Sequence, residues 1–159
     1  MISLRPMLDS EYPAYLDYFI PDYAIEISAN YGFSDADALV QARREIAQDL
    51  PQGVKTPGNV LLCVINETDS SLIGYLWYRP DLAGHSVFIS DLHILASQQG
   101  QGFAKQALNA LETELSAKGF KQIKLRVAEN NRRAKHVYDV AGFRVTGINM
   151  SKLIKPCGP

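Results

Sequence analysis

The chain has 159 residues, 47% hydrophobic and 21% charged, with a net charge of −1. Those figures fit one folded domain, 1–159, of ordinary size and exclude a disordered chain, and no apolar run reaches the ~20 residues of a membrane helix. The N-terminus lacks the pattern of a secretory signal, and the two cysteines, Cys63 and Cys157, give neither a disulfide framework nor metal spacing, so a cytoplasmic chain without a metal is expected.

Ile2 to Arg5 predicts a short first strand, and Asp9 to Tyr18 a short helix. Pro21 suits the first turn of a second helix running to about Tyr31, where Gly32 ends it. Ser34 followed by Asp37 resembles a capping box, and Ala38, Val40, Ala42, Ile46 and Leu50 continue helically up to Pro51. Asn59 to Ile65 and Leu72 to Tyr78 are β-rich runs joined by the polar turn 66–71, a hairpin signal. Ser86 to Leu95 predicts a third long strand, followed by a Gly-rich loop from Ser97 to Gly102. From Phe103, the positions Ala104, Ala107, Leu108, Leu111 and Leu115 hold one helix face. Gly119-Phe120 is a natural stop. Gln122 to Val127 predicts a strand and Asn131 to Ala141 a helix, with Gly142-Phe143 repeating the stop. Val145 to Ile154 reads as one or two closing strands. A helix between two strands implies a parallel pair with a right-handed crossover. With the hairpin, this gives a mixed sheet of α+β type.

Charge is unevenly spread. Residues 1–95 hold 5 Lys+Arg against 13 Asp+Glu, a net of −8, and residues 96–159 hold 11 against 4, a net of +7. The basic half suits an anion and the acidic half a cation, whereas nucleic-acid binding calls for a positive surface without the acidic counterpart. Scatter among solvated faces is the alternative.

The loop Gln99-Gly100-Gln101-Gly102-Phe103-Ala104-Lys105 opens a helix. Unpaired N–H groups and the helix dipole favour an anion there. Gly100 and Gly102 let the backbone approach a diphosphate, and Lys105 adds a full charge. A dinucleotide fingerprint starting at Gly100 needs Gly or Ala where Lys105 stands, so a nicotinamide-dependent oxidoreductase rests on Gly100 and Gly102 alone. The Lys-Ser/Thr phosphate loop is absent, and a plain tight turn is the remaining alternative.

Gln99-x-x-Gly102-x-Ala104 resembles the R/Q-x-x-G-x-G/A signature of the GNAT acetyltransferase superfamily, and Leu92-His93-Ile94 resembles the run preceding it. A second block, Asn131-x-x-Ala134-x-x-x-Tyr138-x-x-x-Gly142-Phe143, is similar to that family's N-x-x-A-x-x-x-Y-x-x-x-G-F. The resemblance covers roughly residues 59–150 and is loose over the N-terminal helices. It implies a mixed, mostly antiparallel sheet with a splayed parallel strand pair, 86–95 and 122–127, and helices on both faces.

It further implies acetyl-CoA as cosubstrate. Leu92, His93 and Ile94 would offer backbone groups to the pantetheine, Gln99 to Lys105 amides to the pyrophosphate, and Asn131 either a helix cap or a pantetheine contact, with Ala134 and Tyr138 also counted among the coenzyme-binding residues. Tyr138 matches the family's general acid: a phenol of pKa ~10 can protonate a thiolate of pKa about 8.5. Packing beside Ala134 and Ala141 is the alternative for Tyr138. Some members carry a Glu as base where this chain reads Leu125-Arg126-Val127, so Asp91 and His93 are the substitutes. Strand alternation puts them on one face, Asp91 to hold the amine's charge and His93 to accept its proton, or else as a structural polar pair. A bulge would break that shared face. Tyr12, Tyr15, Tyr18, Phe19, Tyr23 and Tyr31 crowd the N-terminal segment. Most are expected in the core, with one or two beside a cationic substrate, and Glu26 is the candidate carboxylate there.

The implied reaction is direct attack of a small-molecule or peptide amine on the thioester, with no nucleic-acid or membrane partner. A homodimer is compatible, since dimers are frequent in the family. The competing reading is an acetyl-CoA-binding sensor or interaction module without turnover.

Overall fold

The computed structural model describes residues 1–156; Cys157 lies outside the described residues. Two compact units emerge, one spanning Met1–Arg126 and the other opening at Val127.

The first unit is a five-stranded sheet in the order β1 (Ile2–Pro6), β2 (Val60–Asn66), β3 (Leu72–Asp81), β4 (Ser86–Ile94), β5 (Gln122–Leu125). The first four strands pair antiparallel, and β4 and β5 pair parallel from Ser86↔Gln122 to Ile89↔Leu125. There the parallel ladder stops while β4 runs on to Ile94, so the two strands share only their first four pairs. The expected mixed α+β sheet is therefore present.

Helices cover both faces. Helices α1 (Tyr12–Tyr31) and α2 (Asp35–Asp49) lie over one, where Tyr15, Ile46 and Leu50 pack with Leu61, Cys63, Tyr75 and Trp77. Helix α3 (Phe103–Ala117) lies over the other, where Ala107 packs with Ile2, Val64 and Ile73. Ser34 caps α2 by accepting a hydrogen bond from the Asp37 N–H at 3.2 Å, and Ala38, Ala42 and Ile46 are buried as expected, but Val40 is exposed. Helix α3 ends in the expected Gly-plus-hydrophobic stop: Gly119 sits at φ 88° and the Phe120 N–H reaches back to the Leu115 carbonyl at 3.0 Å.

The N-terminal helices correct the sequence reading. Instead of two helices divided at Pro21, one helix of 20 residues runs through it, and Asp9–Glu11 form only a 3-10 turn. A proline inside a helix forfeits a hydrogen bond and costs about 3 kcal/mol. Continuity buries Tyr15 on one side of Pro21 and Ala24 and Ile27 on the other, the latter against Ala38 and Ala42. Three buried apolar side chains are worth more than one lost bond.

The second unit contains α4 (Arg132–Val140), capped by Asn131 and closed at Gly142, φ 96°, with the Phe143 N–H donating to the Tyr138 carbonyl at 2.9 Å. The strands expected over Val145–Ile154 do not form. Val145, Ile148, Met150, Leu153 and Ile154 are all at least 76% exposed. β-rich composition yields a strand only where a neighbour supplies ladder bonds and a face to pack on.

Candidate active site

The site's polar centre comes from a bulge in β4. Trp77 pairs with Asp91 and Tyr78 with Ile89, which leaves Ser90 as an unpaired extra residue. Adjacent β3 residues face opposite sides, so Ile89 and Asp91 also do. Ile89 stays buried, Leu92 and Ile94 pack on the α3 side, and Asp91 and His93 turn together towards α1. The bulge lies one residue outside the pair, so the shared face survives.

Two phenols from α1 meet Asp91. Tyr15 Oη donates to its Oδ2 at 2.8 Å and Tyr18 Oη to its Oδ1 at 3.2 Å. The Tyr18 ring also lies flat on His93, centroids 3.5 Å apart and planes 11° from parallel. Burial pushes the Asp91 carboxyl up to about 7. The phenols oppose that push, and the like charges of Asp22 and Glu26 add to it. Burial also lowers the His93 pKa, against the opposing charge of Asp22.

Asp91 and Tyr18 border a cavity of about 200 Å³ walled also by Phe19, Tyr23 and Phe88, with Asp22, Glu26 and Asp91 as its carboxylates. It is smaller than the roughly 300–1,000 Å³ of sites for drug-sized ligands. Its one lining cation, Arg126, donates to Glu26 Oε1 at 3.3 Å. Aromatic faces and surplus carboxylates together favour a small cation.

Beyond Ile94 the chain makes a 3-10 turn, Ala96–Gln98, and enters the glycine loop. The Gln99 side chain donates to the Ile94 carbonyl at 2.9 Å and ties the loop to the end of β4. Gly100 and Gly102 have φ of 80° and 79°, in the left-handed region that glycine adopts freely, and a Cβ on either would meet nothing within 4 Å. The first ladder bond of α3 runs from the Gln106 N–H to the Gly102 carbonyl, and no side chain caps the helix. The N–H groups of Gly102, Phe103, Ala104 and Lys105 are thus those that an α-helix leaves without internal partners. Phe103 packs on the α3-side core, Ala104 is half-buried, and Gln101 and Lys105 are exposed.

In the second unit, the Asn131 side chain accepts from the Ala134 N–H at 3.1 Å, so Asn131 is the helix cap. Half-buried Tyr138 meets Phe143 edge to face, centroids 5.6 Å apart.

A model of the acetyltransferase (GNAT) family matches residues 14–143. The chain belongs to the GNAT family. It is 32% identical over 154 residues to YycN, an uncharacterized N-acetyltransferase of Bacillus subtilis (strain 168), covering 95% of this chain and 97% of that protein. The crystal structure of YycN superposes with a TM-score of 0.90 at 30% identity, covering 98% and 100% of the two chains. The spermidine N-acetyltransferase of Vibrio cholerae, solved with CoA and spermine, shares the fold, with a TM-score of 0.63 at 21% identity over 92% and 82% of the chains.

Within this GNAT chain the structure adds Asp22 to the site and joins it to Tyr15, Tyr18 and Glu26, which the sequence already offers as candidates. Tyr15, Tyr18, Asp22 and Glu26 form one stripe along α1, spaced three, four and four apart, which is the spacing of a single helix face. Gly74 is a second addition: its missing Cβ would lie 2.0 Å from the His93 carbonyl oxygen. Among the described residues, no cluster of three or more His, Cys, Asp or Glu could hold a metal ion, and no helix is long and apolar enough to cross a membrane.

Proposed function

We propose that this GNAT chain transfers the acetyl group of acetyl-CoA to the primary amine of a small cationic acceptor, by direct attack in a ternary complex. The observation that carries the reading is the small aromatic cavity with Asp22, Glu26 and Asp91 in its wall. An ammonium group entering it exchanges hydration for carboxylates and aromatic faces.

The residues at the end of β4 and at the start of α3 fit a coenzyme's shape and charge. Among the described residues β4 has no parallel partner beyond Ile89, so backbone groups of Leu92, His93 and Ile94 are the proposed contacts for the pantetheine amides. Open space above Gly100 and Gly102, the free first-turn amides and the exposed Lys105 suit the pyrophosphate. Acetyl-CoA supplies the thioester, and the protein's work is to bind, orient and manage protons. On the strength of its motif, Tyr138 is assigned to protonate the departing sulfur. Asn131 positions its own helix as the cap.

Free-thiol release from acetyl-CoA, followed across a panel of small mono- and diamines, tests the proposal. Turnover above the no-amine background, largest for compact aliphatic amines, is the expected result. Calorimetric binding of acetyl-CoA with no thiol released by any amine would point instead to a sensor module. No heat at all would end the coenzyme assignment.

A further inference from the structure

We infer that Asp91 takes the acceptor's proton, positioned for it by the phenols of Tyr15 and Tyr18, and that His93 is a structural neighbour and not the base. The inference rests on the acetyl-transfer reading above and assigns its proton path.

Geometry separates the two candidates. Asp91 lines the cavity, together with Tyr18, Asp22, Glu26 and Arg126. His93 lies instead beneath the Tyr18 ring, with one imidazole face covered at 3.5 Å. Tyr18 thus does two jobs. Its ring covers His93, and its hydroxyl, with that of Tyr15, orients the two Asp91 oxygens. Both phenols donate, so neither can take a proton from an ammonium, and the carboxylate is the acceptor in the wall.

The step balances. The ammonium gives one proton to the Asp91 carboxylate and becomes a neutral amine. Its nitrogen attacks the thioester carbonyl, a C–N bond forms and the C–S bond breaks. Tyr138 gives its proton to the sulfur, the second proton leaves the nitrogen and restores the Tyr138 phenol by way of solvent, giving amide and free thiol, and Asp91 returns its proton to water. An alkylammonium of pKa about 10.4 gives its proton to an ordinary carboxylate of pKa 3.9 only with great difficulty. An enclosed carboxyl at about 7 makes the same transfer roughly 10³-fold less unfavourable while staying ionised at mildly alkaline pH.

Every charged group facing Asp91 has a defined sign. Tyr15 and Tyr18 favour its ionised form, Asp22 and Glu26 oppose it, and Arg126 is tied to Glu26. His93 lies on the same strand face, and its pKa is lowered by burial against the opposing charge of Asp22. The test is the pH profile of kcat/KM for thiol release, measured from pH 5 to 9. Wild type should lose activity below about 7. Tyr18→Phe should move that midpoint up by about one to two pH units, the worth of one hydrogen bond to a charged group. Tyr15→Phe is the second variant of the same sign, should the first fold poorly. Glu26→Gln should move the midpoint down, because a like charge is lost and Arg126 is released. Asp91→Asn should abolish the limb and lower kcat by at least about 10²-fold, and His93→Gln should keep it. The idea fails if His93→Gln removes the limb, or if the Tyr18 and Glu26 variants shift it together or not at all. Wild type with no thiol release at any pH would instead defeat the acetyl-transfer reading itself.

Discussion

Replacing Gly74 with Ala tests whether the end of β4 positions the coenzyme and the proton acceptor. Gly74 pairs with Ile94, and a Cβ there would lie 2.0 Å from the His93 carbonyl oxygen, 3.0 Å from its carbon and 3.1 Å from the Ile94 Cα. These are backbone atoms, which cannot rotate away. Reaching the 3.4 Å at which ordinary contact begins requires the strands to part by about 1.4 Å. The next ladder bond, from the Leu95 N–H to the Ile73 carbonyl at 2.8 Å, would stretch beyond hydrogen-bonding range. Overpacking of this kind costs about 1–3 kcal/mol, a Tm loss of roughly 3–10 °C in a chain of this size. Displacement by more than 1 Å at a reacting centre costs on the order of 10² in rate. Differential scanning calorimetry and thiol-release kinetics on Gly74→Ala should therefore show kcat/KM falling about 10²-fold, with a folded protein melting several degrees earlier. A variant within twofold of wild type, melting within about 2 °C of it, would refute the claim that this crossing fixes the site.

Two further outcomes follow from individual groups. Tyr138→Phe keeps the ring that packs on Phe143 but removes the proposed acid, so kcat should fall about 10²–10⁴-fold with the acetyl-CoA dissociation constant unchanged, which stopped-flow thiol release and calorimetry would check. Asp91→Asn should stabilise the fold at alkaline pH. The native carboxyl holds its proton up to about 7 whereas the unfolded one loses it near 3.8, so wild type loses up to about 4 kcal/mol between those limits. Asparagine has nothing to ionise, so its Tm advantage should be present at pH 8 and absent at pH 4; the same advantage at both values would contradict this account.

How legible was all this beforehand? The glycine loop, the Asn131 cap and both Gly-plus-hydrophobic stops were readable because each is local: a few residues determine their own backbone geometry. The α1 stripe was hidden by Pro21. Read as a helix start, proline divides Tyr15 and Tyr18 from Asp22 and Glu26, and the aromatic-acidic face disappears. Only tertiary burial of Tyr15, Ala24 and Ile27, absent from any local window, carries the helix through. In the sequence Arg126 stands out only as a departure from a motif, and its pairing with Glu26, 100 residues away, has no local trace. Val145–Ile154 erred in the other direction, since strand-like residues do not announce whether a partner is present.

The bulge at Ser90 did leave a trace. Val87 and Ile89 alternate on odd positions, while Leu92 and Ile94 alternate on even ones, so the apolar phase slips by one at Ser90. A regular strand with that sequence would send either one pair or the other away from the α3 core. The extra residue lets all four face it and leaves Asp91 and His93 for the α1 side. Deleting Ser90 separates this facing from the local bend. Ile89 and Asp91 then become direct neighbours, already paired with Tyr78 and Trp77, so both faces are kept without any register slip. What changes is the strand's curvature between Phe88 and Asp91, which shapes one wall of the cavity. The deletion should therefore fold and bind acetyl-CoA but raise the KM for the amine about tenfold, the cost of roughly 1.4 kcal/mol of lost fit. An unchanged amine KM would mean that the bulge serves only to reconcile the two apolar phases and contributes nothing to the shape of the acceptor site.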